Sequence, residues 1–178
     1  MRLFIAINFT EEVKDDIEAG ADLLRKHSLG GSFTLRDNYH ITLAFLGETA
    51  PGRVAAVKEA MLNCPGQSMD MSLGRLGSSG RGDSVIVWRA VQAPGCLWTL
   101  QERLLQELRQ RGFTPDEKKF KPHLTLARQL VLSPGVSLKE LGSLVKDRDF
   151  KVESMELMKS ERIGGKLKYT ALYSRAFS

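Results

Sequence analysis

Cysteine is scarce in this sequence, with only Cys64 and Cys96 among 178 residues. Two thiols are too few for a disulfide framework or a cysteine-rich zinc site, so we expect a reducing, cytoplasmic compartment. No apolar run reaches the roughly 18 residues that a membrane-spanning helix needs, and we expect no membrane partner. The apolar opening, residues 1–9, is shorter than the core of a signal peptide and lacks its cleavage site, which favours a buried strand.

Charge of one sign is only mildly in excess. Lysine and arginine number 26 against 21 aspartates and glutamates, which gives a net charge of +5. Residues 1–92 carry 10 basic and 11 acidic side chains, whereas residues 93–178 carry 16 and 10, so the excess belongs to the second half. An anionic partner is therefore permitted but not required.

The order of predicted elements occurs twice. In the first half, alternation and helical periodicity predict strands at 2–8, 39–46, 68–76 and 84–92, with helices at 11–27 and after Pro51. The second half repeats helix, strand, helix, strand, strand at 97–111, 122–130, 138–146, 149–159 and 167–177. We therefore predict an α+β fold with an internal duplication, its halves at about 1–92 and 93–178. The glycine-rich connection from Gly74 to Asp83 lacks the ending of a phosphate-binding loop, so we expect a mobile hairpin loop.

A short motif is the sharpest part of the repeat. Residues 40–44 read His-Ile-Thr-Leu-Ala and residues 123–127 read His-Leu-Thr-Leu-Ala, identical at four of five positions and 83 residues apart. Because side chains alternate along a strand, each histidine shares a face with the threonine two residues later, opposite an aliphatic row. We expect each strand to bury that row in its own lobe, so that two His-Thr pairs meet across one cleft.

Two facing imidazoles are typical of acid–base catalysis, because histidine titrates near pH 6.5 and either form is accessible. Threonine hydroxyls can donate hydrogen bonds to an oxyanion. Together these groups fit an in-line displacement at phosphorus that requires no metal and no cofactor.

Three other interpretations of the motif are weaker. A single His-x-Thr is usually a core strand, but its duplication in register favours function. A zinc site formed by His27, His40 and His123 is disfavoured, because no acidic residue shares the inward face of either motif. A Ser-His-Asp hydrolase is weaker still, since no nucleophile-elbow sequence occurs.

At these residues the sequence resembles the 2H phosphoesterase superfamily, whose signature is a pair of H-x-T-x motifs. Within it the sequence is most similar to the LigT-like RNA 2',3'-cyclic phosphodiesterases, first described as 2'-5' RNA ligases. The resemblance extends over nearly the whole chain. It rests on residues 4–7, 38–48 and 120–128, with Ser160 and Tyr169 at the spacing of such proteins. Phe33 and Arg36 depart from the usual Trp and Pro, and Gly165 is displaced by one position.

The resemblance implies a single bilobal domain over 1–178, in which two pseudo-symmetric lobes of antiparallel sheet and helices flank a central cleft. It also implies that His40 is the proton donor, that His123 is the proton acceptor, and that Thr42 and Thr125 bind phosphate. Arg128 would add positive charge, although it lies five residues past His123 and needs a bulge or twist to reach the same face. Tyr39, Phe120 and Lys121 are candidate contacts to a base or to RNA.

The function expected from this resemblance is hydrolysis of ribose 2',3'-cyclic phosphates to 2'-phosphomonoesters, on RNA ends or small nucleotides, by a monomer. ATP-independent 2'-5' RNA ligation at the same site and a non-catalytic nucleotide-binding module are the alternatives. Because basic residues cluster around His123 and the last hairpin, we expect the second lobe to guide a phosphate backbone to the cleft.

Overall fold

The structure, a computed structural model, describes residues 1–82 and 84–178. Within these ranges the chain forms nine strands: β1 Arg2–Asn8, β2 Ser28–Phe33, β3 His40–Glu48, β4 Met69–Ser79, β5 Val85–Gln92, β6 His123–Leu132, β7 Arg148–Val152, β8 Ser154–Ile163 and β9 Lys166–Ala176. Its α-helices are α1 Glu11–Lys26, α2 Val54–Leu62, α3 Cys96–Gln110 and α4 Leu138–Leu144. None of the helices described is both long and apolar enough to cross a membrane.

The predicted helices form where the apolar periodicity placed them. In α1 the Thr10 hydroxyl accepts a hydrogen bond from the Val13 amide, and two glutamates occupy the first turn, where they face the positive end of the helix dipole. One face of α1 is buried against the core through Val13, Ile17, Ala21 and Leu24. The leucines of α3 at residues 97, 100, 104, 105 and 108 are buried in the same way.

The strands form two antiparallel sheets, which confirms the α+β class. The four-stranded sheet has the order β3-β1-β8-β9, and the five-stranded sheet has the order β2-β6-β5-β4-β7. Each sheet contains one of the two His-x-Thr strands, β3 in the first and β6 in the second. The fold therefore delivers one motif from each sheet.

The two motif strands lie in different sheets, but the sheets do not coincide with the sequence halves 1–92 and 93–178. Strands β8 and β9 of the second half pair with β1, while β4 and β5 of the first half pair with β7 and β6. Strand pairing is a long-range choice among hydrogen-bonding edges, and local periodicity carries no information about it. The positive excess of the second half is accordingly divided between both sheets.

Three local expectations also differ from the structure. Residues 28–33, to which the sequence analysis assigns no element, form β2 against β6. Gly31 is required there because a Cβ would approach Leu130 at 3.0 Å. The single strand expected at 149–159 is two strands, β7 and β8, one in each sheet. Finally, β4 runs through two of the glycines of the expected hairpin loop as far as Ser79; Asp83, which ends that loop in the prediction, lies outside the described residues.

Candidate active site

A cleft with a volume of about 600 Å³ brings together all five residues of the predicted catalytic and phosphate-binding set. These are His40, Thr42, His123, Thr125 and Arg128. A larger depression of about 710 Å³ lies beside β7 and contains none of the motif residues. Phe4 and Tyr169 also line the cleft, and they pack in a small apolar cluster with Ala6 and Met158.

The two imidazoles are held in the same way. Nδ1 of His40 lies 2.7 Å from the carbonyl oxygen of Asn38, and Nδ1 of His123 lies 2.7 Å from that of Lys121. A carbonyl oxygen can only accept, so Nδ1 carries the hydrogen in both rings and Nε2 is left for chemistry. Nε2 of His40 lies 3.0 Å from the Thr42 hydroxyl. In its neutral form each Nε2 can accept a proton, and in its charged form it can donate one.

A β-bulge brings Arg128 to the cleft. One step along β5, from Val87 to Trp88, corresponds to two steps along β6, from Ala127 to Thr125. The extra residue reverses the alternation: Leu126 and Ala127 are both buried, and Arg128 emerges on the face of His123. This is the irregularity that the spacing of Arg128 required.

The same bulge occurs in the first motif. One step on β1, from Ile5 to Ala6, corresponds to two on β3, from Ala44 to Thr42, and both Leu43 and Ala44 are buried. Phe45 consequently lies at the cleft, in the position that Arg128 occupies in the other strand. Sequence reasoning missed Phe45. The repeated spacing His-x-Thr-x-x-Phe and His-x-Thr-x-x-Arg was the available signal.

The electrostatics of the cleft are those of an anion site. Arg2, Arg128 and Arg162 line it, and no aspartate or glutamate does among the residues that the structure describes. Arg2 also lies over the ring of Phe45, with its guanidinium carbon 5.1 Å from the ring centre. Arg2 was not predicted, because nothing in an N-terminal strand distinguishes an arginine at a cleft from one in solvent.

The pKa of His40 is lowered below its ordinary range. Burial is the largest cause, and the positive charges of His123 and Arg128 lower the pKa further, partly offset by the hydrogen bond to the Asn38 carbonyl. Tyr169 meets the His40 ring edge-on, with centres 5.2 Å apart. Burial raises the pKa of Tyr169, against the nearby charges of Arg128 and Arg2, so its hydroxyl stays protonated at neutral pH.

None of the three predicted base or RNA contacts lines the cleft; burial excludes Tyr39 from such a contact, whereas contacts of Phe120 and Lys121 with RNA stay predictions. Tyr39 precedes His40, so its side chain points the opposite way; it is buried, and its hydroxyl donates to Glu18 at 2.5 Å. Phe120 packs edge-on against Trp98, with ring centres 5.9 Å apart. The Lys121 side chain is exposed outside the cleft, and only its carbonyl reaches His123.

The third histidine is separate from the other two. His27 caps the end of α1, where its carbonyl accepts from the Ser133 amide. In the described part of the chain, no group of three His, Cys, Asp or Glu side chains is arranged to hold a metal.

A bilobal α+β fold in which each sheet brings one His-x-Thr strand to a shared cleft is the architecture of the 2H phosphoesterases. A family model for the 2'-5' RNA ligase superfamily matches residues 13–164, and the chain belongs to this family.

Similar proteins agree with this assignment. An RNA 2',3'-cyclic phosphodiesterase of Thermotoga maritima is 33% identical over 131 residues, which cover 72% of this chain and 70% of the relative. One from Geobacillus stearothermophilus is 32% identical over 129 residues, 71% of this chain but only 41% of that protein's length. The crystal structure of E. coli LigT complexed with 3'-AMP has a TM-score of 0.79 at 25% identity and covers 99% of this chain and 98% of LigT.

Proposed function

We propose that this protein hydrolyses ribose 2',3'-cyclic phosphates, on RNA ends or small nucleotides, to 2'-phosphomonoesters. The observation that carries the proposal is the pair of histidines whose Nε2 atoms are left unengaged by the backbone in one arginine-lined cleft. The names of the curated relatives and the 3'-AMP bound to E. coli LigT support this substrate class.

In the proposed mechanism His123 is neutral and its Nε2 accepts a proton from a water molecule as that water attacks phosphorus. The bond between phosphorus and the ribose 3' oxygen breaks, and protonated His40 donates its Nε2 proton to the departing oxygen. The product keeps the phosphate on the 2' oxygen and carries a free 3' hydroxyl. Each proton transfer of this kind contributes about 10²- to 10⁴-fold in rate.

Thr42 and Thr125 donate hydrogen bonds to the non-bridging phosphate oxygens in this proposal, and Arg128 balances their charge. The bound phosphate also assists His40. Its negative charge offsets the positive charge of Arg128, which is one cause of the lowered pKa of His40, and so favours the protonated form that the donor role needs. The balanced reaction uses only side chains of this chain and one water.

We also propose that residues 1–178 act as one domain and as a monomer. Both histidines come from the same chain, and one hydrophobic core includes Leu3 and Ile41 of the first sheet together with Leu73 and Leu124 of the second. A cytoplasmic location is part of the proposal and rests on the scarcity of cysteine.

A substrate panel tests the proposed function. It compares 2',3'-cyclic mononucleotides, oligonucleotides with 2',3'-cyclic ends and 3',5'-cyclic nucleotides, with products assigned by ³¹P NMR. We expect 2'-phosphates from the 2',3'-cyclic compounds, turnover unchanged by EDTA, and at least a 100-fold loss in His40→Asn and in His123→Asn.

The matched control is His27→Asn, which removes the one histidine outside the cleft and should retain full turnover. Full activity in either of the other two variants would contradict the mechanism. Joined products from cyclic-ended and 5'-hydroxyl RNA would instead indicate ligation, and binding of 2'-AMP with no turnover of any substrate would indicate a binding module.

A further inference from the structure

The cleft continues into a second cavity of about 330 Å³. The two spaces share the side chains of His40, Thr125, Arg128, Arg162, Leu167 and Tyr169. Beyond these shared residues the second cavity lies between two new walls. One is the segment 32–35, which comprises the end of β2 and the two residues after it, and the other is the turn between β8 and β9.

The first wall contributes two apolar side chains, Phe33 and Leu35, and is attached to the catalytic strand by hydrogen bonds. Leu35 is 45% exposed, and Phe33 is half-buried with the Arg25 guanidinium 4.8 Å from its ring centre. Between them, the Thr34 hydroxyl donates to the Thr125 carbonyl at 2.9 Å, and the Thr34 amide donates to the Leu126 carbonyl at 2.9 Å. An exposed apolar surface is thereby held beside the phosphate-binding motif, where an unstacked base can lie against it.

The second wall is positively charged. Arg162 and Lys166 both line the cavity, and Arg162 is oriented by a hydrogen bond to the Gly165 carbonyl at 3.2 Å. No acidic side chain lines this space within residues 1–82 and 84–178, so neither cation is neutralised there. A base surface facing two cations, next to a site for a cyclic phosphate, has the composition of a nucleotide subsite.

We propose that this second cavity binds the nucleotide upstream of the one that carries the cyclic phosphate. In this arrangement Arg162 and Lys166 bind the phosphate that joins the two nucleotides, and the upstream base lies against Leu35 and Phe33. The proposal rests on the proposed function. It adds that the preferred substrate class is an RNA end rather than a mononucleotide, because a 2',3'-cyclic mononucleotide has neither the linking phosphate nor a second base.

The test compares adenosine 2',3'-cyclic phosphate with the dinucleotide ApA ending in a 2',3'-cyclic phosphate. We expect the dinucleotide to have a kcat/KM at least about tenfold higher, since one hydrogen bond to a charged group is worth roughly that factor. Leu35→Glu and Lys166→Glu each place a negative charge in the second cavity. Both should remove most of that advantage, chiefly through KM, while changing mononucleotide turnover by less than about twofold.

Lys151→Glu is the control, because Lys151 is exposed on β7 and lines neither space. It makes the same change of charge as Lys166→Glu and should leave kcat/KM unchanged for both substrates. Equal kcat/KM for the two substrates in the unmodified protein would overturn the proposal. So would Leu35→Glu and Lys166→Glu if they lowered kcat/KM by the same factor for both substrates.

Failure of the subsite and failure of the proposed function can be told apart by calorimetric binding of the two products, 2'-AMP and ApA 2'-phosphate. If no substrate is turned over but the dinucleotide binds at least tenfold more tightly, and Lys166→Glu abolishes that difference, the subsite stands and the hydrolytic function fails. Equal affinities would reject the subsite whatever the turnover.

Discussion

Asn38 binds His40 through its backbone and binds β9 through its side chain. Its carbonyl oxygen lies 2.7 Å from Nδ1 of His40. Its buried side-chain amide donates to the Leu167 carbonyl at 2.8 Å and accepts from the Tyr169 amide at 3.2 Å, so that it pairs with β9 as a strand would. The orientation of the imidazole is therefore tied to the strand that carries Tyr169.

Replacing this amide should affect both stability and catalysis. Asn38→Ala removes two buried hydrogen bonds, and we expect a loss of about 1 to 3 kcal/mol in the free energy of unfolding, measured in urea. Asn63→Ala, which removes an exposed amide bonded to Glu107, should cost much less. We also expect a lower kcat in Asn38→Ala under conditions where the variant is fully folded. Unchanged kcat would limit Asn38 to a structural role.

The pH dependence of kcat/KM should report His40. Burial and the charges of His123 and Arg128 lower the pKa of His40, and a proton donor must be protonated in the free enzyme. Activity should therefore fall as pH rises through a value below about 6.5, the ordinary value for histidine.

The variant Arg128→Gln tests the direction in which the pKa of His40 moves the pH profile. Removal of a nearby positive charge raises the pKa of His40, so the alkaline limb should move to higher pH even though the maximum rate falls. NMR titration of the His40 ring provides an independent value for each protein. An alkaline limb at the same pH in the unmodified protein and in Arg128→Gln would contradict the role of His40 as proton donor.

A methyl group at Gly77 should disturb the second histidine from a distance. Gly77 pairs across the strands with Trp88, and a Cβ at residue 77 would overlap the indole ring, which meets His123 edge-on at 6.4 Å. Gly77→Ala should destabilise the protein by about 1 to 3 kcal/mol, as overpacking does, and should lower kcat. Gly95→Ala is the control, since Gly95 has helical angles and open space around its Cα. Equal changes of stability and kcat in Gly77→Ala and Gly95→Ala would contradict the close contact between residue 77 and Trp88.

Turnover of RNA should be more sensitive to salt than turnover of a mononucleotide. Arg2, Arg128 and Arg162 line the cleft and Lys166 lines the adjoining cavity, so a longer phosphate backbone meets more cations. The measurement is kcat/KM from 50 to 500 mM KCl for both substrate classes. Identical dependence of kcat/KM on salt for the two substrate classes would indicate that these side chains do not bind the additional phosphates of RNA.

Arg89 is expected to stabilise the fold and not to take part in catalysis. It is buried, and its guanidinium donates to the carbonyls of Leu73, Gly74 and Lys146 at 2.7 to 3.1 Å. These hydrogen bonds join β5, which carries Arg89, to β4 and to the segment that precedes β7. Arg89→Met leaves three carbonyls without this donor, and we expect a loss of about 3 kcal/mol or more in urea unfolding. Arg75→Met, an exposed change on β4, should be nearly neutral. Lost activity in folded Arg89→Met would contradict the assignment.

The sequence by itself determined the local elements and the chemical set. The periodicities of β1, α1 and α3, and the shared face of His40 and Thr42, follow from covalent geometry that acts over a few residues, so they could be predicted without a fold. The same holds for His123 and Thr125, whose repeat marked them as a pair.

Only the tertiary structure decided how these parts are joined. Three features depend on pairing between distant strands. Strands β4, β5 and β8 pair with strands of the other sequence half, β2 joins the edge of the five-stranded sheet, and bulges turn Phe45 and Arg128 into the cleft. It also removed Tyr39 and Phe120 from the site, because each is held by neighbours remote in sequence. Strand pairing is decided by which edges meet and bury their apolar faces, and that competition involves the whole chain at once.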